Sequence, residues 1–132
     1  MPSTYQAYTK MPLSGAATGL GILVASTGPA GTAGTTIHTA VTGSDSIDEI
    51  VLYASNSSSS AGGILLTLQW GEIAVSGVVY PDEIKYLLVP VGNGLTVLTE
   101  PLILNGALLV TAYAATINVI QIFGFVNRIA LV

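Results

Sequence analysis

The chain has no cysteine, three cations, seven carboxylates and a single histidine in 132 residues. Each shortage closes a class of function. Without thiols there is neither a disulfide framework nor a thiolate metal site. Lys10, Lys85 and Arg128 cannot make the basic patch that neutralising phosphates requires, so no nucleic-acid partner is expected. With only His38, transition-metal ligation is weak, and a catalytic dyad would have to activate one of many serine or threonine hydroxyls. No Gly-x-Ser-x-Gly elbow is present. The reading is therefore not an enzyme: no catalytic residue, no metal and no cofactor.

Long membrane-spanning runs are also wanting. Leu102 to Val126 carries no charge and is long enough to span, but Asn105-Gly106 and Asn118 interrupt it and its β-branched content is high. Leu20 to Ala25 imitates a short signal h-region, yet only Lys10 and a glycine-rich approach precede it. Both stretches are expected to be buried strands, with no membrane partner.

What is there is apolar and uncharged. Hydrophobic residues make up 51% and charged residues 8%, where an ordinary soluble domain has about 25% charged. Fourteen threonines and eleven serines supply the polar surface. Such a surface gives little repulsion between copies and favours an obligate assembly.

Along the chain, residues 1–19 lack periodicity and read as an extended N-terminal arm in which Tyr5 and Tyr8 offer something to bury. Residues 20–132 read as one domain. Strands are expected at Leu20–Ala25, Thr35–Val41, Ile47–Asn56, Ile64–Trp70, Glu83–Pro90, Leu95–Leu98, Leu102–Leu104, Ala107–Tyr113 and Ile117–Arg128, with a short edge strand near Glu72–Ser76. Gly28 to Gly34 is a flexible connector rather than a phosphate loop. Ser57–Gly63 reads as a loop tip joining a hairpin, and Asn93-Gly94 and Asn105-Gly106 as two further hairpin turns. About eight short strands without a helical period predict an all-β antiparallel sandwich, jelly-roll-like.

The last strand is apolar on both parities. Ile117, Val119, Phe123 and Phe125 fall on one; Ile120, Ile122 and Val126 on the other. A strand with one wet face should alternate. One parity is therefore expected in the core and the other against a neighbouring subunit. Tyr5, Tyr8, Ile117, Val119, Ile120, Ile122, Phe123 and Phe125 are the candidate interface residues.

Other candidates are weaker. Asp45, Asp48 and Glu49 form the one acidic cluster, without the spacing of a calcium loop. Trp70, Tyr53, Tyr80, Tyr86 and Tyr113 could make a sugar platform, though aromatics on sandwich strands are more often anchors of core or interface. Asn56-Ser57-Ser58 fits the glycosylation pattern inside a serine-rich loop.

Gly34-Thr-Thr-Ile-His-Thr-Ala40, the turn after it, and Ile47 to Asn56 are similar to small virion proteins of tailed bacteriophages. The likeness continues through Leu88-Val-Pro90, a Gly-Leu-Thr segment, Leu102-Ile-Leu-Asn-Gly106 and the pattern of residues 120–129, covering about residues 34–130. It implies a β-sandwich virion protein, made in the cytoplasm of a bacterial host. Its expected place is the capsid exterior, as a decoration (cement) protein, with a head or tail fibre or spike subunit as the alternative. The implied partners are the major capsid protein and further copies of the chain, as a homo-oligomer, expected to be a trimer. A carbohydrate-binding module is the reading from a different class.

Overall fold

A computed structural model describes residues 8–16, 18–27, 34–72, 84–92 and 94–130. The strands run β1 Tyr8–Pro12, β2 Ile22–Leu23, β3 Thr35–Thr39, β4 Ser46–Asn56, β5 Ile64–Glu72, β6 Ile84–Val89, β7 Thr96–Val97, β8 Leu102–Leu104, β9 Leu109–Ala114 and β10 Ile120–Ala130. Among the described residues, one 3-10 turn at Ser14–Ala16 is the only helical element. Tyr5, Tyr80 and most of the expected edge strand near Glu72–Ser76 lie outside the described residues.

Two antiparallel sheets pack together. The first has the order β1-β10-β4-β7, with β2 also on β10 and β8 also on β4; the second has the order β3-β9-β5-β6. β1 and β2 lie end to end along one side of β10, and β7 and β8 do the same along β4. Counted as eight strand positions, the sheets read 1-8-3-6 and 2-7-4-5. This is the interleaved double sheet of a jelly roll.

Burial on alternate residues builds the core. Ile50, Leu52 and Ala54 of β4 sit beside Val126, Gly124 and Ile122 of β10. Leu66 and Leu68 of β5 sit beside Ala114 and Ala112 of β9. Apart from Gly124, these residues meet in one buried cluster with Val24, Ile37 and Leu98. β10 needs a glycine where it passes β4, because a Cβ on Gly124 would lie 2.0 Å from the Val51 carbonyl oxygen.

The expected hairpins are corrected. β4 does not turn back on β5: the two strands belong to different sheets, and 57–63 carries the chain across the sandwich. That serine-rich stretch is pinned by Ser57 N–H to Val119 O at 2.8 Å and Ser58 N–H to Asn56 Oδ1 at 2.9 Å. β6 and β7 likewise lie in different sheets and so form no hairpin, Asn93 itself lying outside the described residues, and Asn105-Gly106 crosses between β8 and β9. The Asn105–Leu108 turn has φ of 65° at Gly106 and 61° at Ala107, the positive pair that a tight reversal needs. Such a turn reverses the chain; which strand then becomes the neighbour depends on the apolar faces, and these are best covered by the opposite sheet.

The extended arm is also more than an arm. Its residues 8–12 form β1, registered along β10 from Tyr8 opposite Ile129 to Pro12 opposite Phe125. At both ends of the sandwich the connections that cross between the sheets are tied down. At one, Val24 N–H donates to Ile120 O and Ala114 N–H to Ser26 O; at the other, Gly106 N–H donates to Gly43 O and Ala107 N–H to Val41 O, each at 2.9 Å.

Candidate interaction face and a buried polar cluster

The structure separates the two parities of β10. Ile120, Ile122 and Val126 are wholly buried inside the chain. Ile120 and Ile122 are therefore corrected from interface to core: the opposing sheet of the same chain already covers them. Val119, just before the strand, packs against that core, and Ile117 lies in the preceding turn at 44% exposure. Phe123 and Phe125 point to the other side, half-buried on the outer face of the six-stranded sheet.

Register lays that face out in rows, each crossing from the β1/β2 side through β10 to the β4 side. Leu23, Gln121 and Ser55 form the first, and Phe123 with Tyr53 and Val97 the second. Pro12, Phe125 and Val51 form the third; Lys10, Asn127, Glu49 and Ile103 the fourth; Tyr8, Ile129 and Ile47 the fifth. Tyr8 is 65% exposed, Val97 63% and Ile103 52%. In the second row the Phe123 ring lies over the backbone of Gly21, where a Cβ would come within 2.7 Å of it. In the fourth, Asn127 Nδ2 donates to Glu49 Oε1 at 3.0 Å, and Lys10 Nζ sits 4.7 Å from the centroid of the Phe125 ring. The face is thus apolar in its second, third and fifth rows and polar along the fourth and at Gln121 and Ser55 of the first, a partly exposed apolar surface that folding of the single chain does not bury.

A second, smaller apolar patch lies on the outer side of the other sheet. There Leu65 pairs with Leu88 beside Tyr86, all three exposed.

The polar chemistry is buried. Asp48, at zero exposure on the inward side of β4, accepts hydrogen bonds from Arg128 Nε at 2.7 Å, Arg128 Nη2 at 2.9 Å and Val41 N–H at 3.0 Å. Its fourth partner is His38 Nε2 at 2.8 Å. The Ser14 backbone N–H donates to His38 Nδ1 at 3.0 Å, so that nitrogen bears a lone pair and the ring proton resides on Nε2, facing Asp48. Ser14 Oγ accepts from Thr39 N–H at 2.7 Å, which completes the docking of the Ser14–Ala16 turn on β3.

Burial pushes the Asp48 carboxyl upward, but the hydrogen bonds from Arg128 and His38, the Arg128 charge and the Val41 N–H together outweigh it and hold the group below its ordinary value. The Asp48 hydrogen bond raises the already high pKa of Arg128. Although serine, histidine and aspartate meet here, both ring nitrogens are committed and the Ser14 contact is through its backbone. The cluster is a clamp between β3, β4, β10 and the 3-10 turn.

The remaining candidates do not converge. Asp45 is exposed in a turn, Asp48 points inward and Glu49 outward, so the acidic cluster is dispersed; no group of three metal-ligating side chains occurs among the described residues. Trp70 packs against the core, Tyr53 lies on the outer face of the six-stranded sheet, and Tyr86 and the buried Tyr113 lie on that of the other sheet. No common platform results. Asn56 is occupied as well, its Nδ2 donating to Val89 O at 2.8 Å.

Sequence reasoning missed the Asp48 cluster, because Arg128 and Asp48 lie 80 residues apart. It also missed Gln69 and Thr111, paired across β5 and β9 and buried, whose Oε1 and Oγ1 find no hydrogen-bond partner among the described residues. No described helix is long and apolar enough to cross a membrane. Comparison of the chain with protein-family models, with curated proteins and with solved structures gave no match.

Proposed function

We propose that this chain is a structural protein of a bacteriophage virion, a capsid decoration (cement) protein that stabilises the head shell through many protein–protein contacts. The observation that carries the reading is the outward apolar face of the six-stranded sheet in a chain with so few charges. Two further features support it. Jelly-roll sandwiches recur in capsid and lectin domains, although a fold alone does not assign a function. A protein that links copies to one another and to a shell also needs two surfaces, and Leu65, Tyr86 and Leu88 offer a second one on the opposite side. Each contact is weak alone and adds up because linked contacts form at high effective concentration.

The test is co-sedimentation of the purified protein with phage heads assembled without it, followed by heating of the decorated heads. Saturable binding and a raised rupture temperature are expected, with Tyr86→Ala weakening attachment. A protein that ignores heads and instead binds host cells would replace this reading with that of a fibre or spike subunit.

A further inference from the structure

We infer that the outer face of the six-stranded sheet is self-complementary and takes a second copy of this chain, stacked face to face about a two-fold axis running along β10. This deepens the homo-oligomer part of the proposed function, and its test uses the purified protein without any shell.

The support is the order of residues within the rows. A two-fold along β10 leaves each row at its own level and exchanges its two ends, so the β1/β2 end of one copy meets the β4 end of the other. In the fourth row this sets Lys10 over Glu49 of the second copy and Glu49 over its Lys10, two opposite-charge contacts from one arrangement. In the second row Tyr53 meets the Phe123 ring of the second copy, where that ring lies over Gly21. In the first, Leu23 meets the small Ser55; in the fifth, Tyr8 meets Ile47. Phe123, Phe125 and Ile129 lie on the axis and meet their own counterparts. Charge and size are thus both matched by one operation. The opposite choice, with the axis across the strands, brings Lys10 to no carboxylate on this face.

The two-fold lays three strand positions of each copy over one another, β1/β2, β10 and β4, and leaves β7 and β8 outside the overlap. Nine residues of β10 by three positions give about 440 Å² of flat projection per copy, from strand rises of about 3.4 Å and spacings of about 4.8 Å. A corrugated surface exceeds its projection, so two copies bury more than about 900 Å², at the small end of specific interfaces, and the matched charges select the pairing. Stacked sheets sit about 10 Å apart, a gap that facing lysine and glutamate side chains bridge. A trimer, the state expected from the sequence, would need two different patches that fit each other, whereas this patch fits itself, which is the two-fold case.

The experiment is sedimentation equilibrium of the wild-type chain and of three variants, Lys10→Glu, Glu49→Lys and the double exchange. The wild type should sediment at twice the 13.4 kDa of one chain. Each single reversal sets like charges together twice and should weaken the dimer at least about tenfold; the double exchange should restore it to within about threefold. Zero-length carbodiimide coupling should also give a covalent dimer joined through Lys10 and Glu49. A monomer at high concentration, a trimer, or a dimer indifferent to both reversals would overturn the inference. Head binding is read separately, through the Tyr86 side, so a monomer that still decorates heads would overturn this inference and leave the attachment reading standing.

Discussion

Replacing Asp48 by asparagine keeps the shape of the side chain and removes its charge, which isolates what the buried carboxylate does. Asp48 accepts four hydrogen bonds, from Arg128 twice, from His38 and from the Val41 N–H. With its oxygen in the place of Oδ2 an asparagine can keep three of these, while its amide nitrogen, itself a donor, is turned toward Arg128 Nε. The guanidinium retains a way out, because the Arg128 side chain is 31% exposed and can swing into water, whereas His38 cannot. Removing one partner of a buried pair costs about 3–5 kcal/mol; the exposure of Arg128 brings the expected loss to the low end, about 3 kcal/mol. With a urea m-value of about 2 kcal/mol/M, the unfolding midpoint should fall by about 1.5 M. Asp45→Asn, in the exposed turn three residues earlier, should move it by less than about 0.3 M. A second round in an Arg128→Met background should show the Asp48 effect reduced by at least about 1.5 kcal/mol. Equal shifts for Asp48→Asn and Asp45→Asn, or additivity of Asp48→Asn with Arg128→Met, would refute the claim that the cluster clamps β4 to β10.

Other consequences follow from the same geometry. Because the folded-state pKa of Asp48 is lowered, its contribution is complete above the unfolded carboxyl value of about 3.9 and drains away as pH falls through the folded value; urea midpoints between about pH 2 and 6 should therefore slope more steeply in the wild type than in Asp48→Asn. Gly124→Ala must push β10 off the Val51 carbonyl and should cost about 3 kcal/mol in chemical denaturation, or prevent folding. Thr111→Val removes a buried hydroxyl that finds no partner among the described residues, at almost constant volume, and should raise the midpoint by the equivalent of about 1 kcal/mol. Ala107→Gly exchanges a strained φ of 61° for one that glycine adopts freely; the relief of about 1–2 kcal/mol exceeds the added chain entropy of about 0.4–1 kcal/mol, so thermal unfolding should shift slightly upward.

Much of the fold was legible because burial writes itself into strands with a period of two. β4 shows it plainly, with Ile50, Leu52 and Ala54 inward and Val51 and Tyr53 outward. The same pattern exposed β10 as a strand apolar on both sides, and the inward half of that reading agrees with the burial of Ile120, Ile122 and Val126. Strand partners were not legible. Asn105-Gly106 announces a reversal but holds no information about which sheet receives the next strand. β1 was missed because Tyr-Thr-Lys-Met-Pro has little to bury and exists as a strand only because β10 supplies its hydrogen bonds. The candidate face was half visible: Phe123 and Phe125 could be named from their parity, but their neighbours Val97, Ile103 and Leu23 come from short strands brought alongside by topology alone. Asp48 showed only as one member of an acidic cluster, because its partners are set by the register of β4 with β10 and by the route of β3.

The pairing of β1 with β10 has a consequence for how the chain is made. β10 is an interior strand of its sheet, hydrogen-bonded to β1, β2 and β4, and it is the last strand described. A ribosome that has released everything up to β9 has produced a chain whose longest strand, β4, has no neighbour along one side and whose first strand has none at all. The sandwich can therefore close only after residue 130 has left the exit tunnel. With contacts spanning from Tyr8 to Ile129, closure belongs to the slow, non-local end of the folding-rate range. In the interval the nascent chain carries an open apolar edge beside its siblings on the same message. Pulse-labelled ribosome complexes stalled before and after β10 should differ sharply in protease resistance, with protection appearing only in the latter.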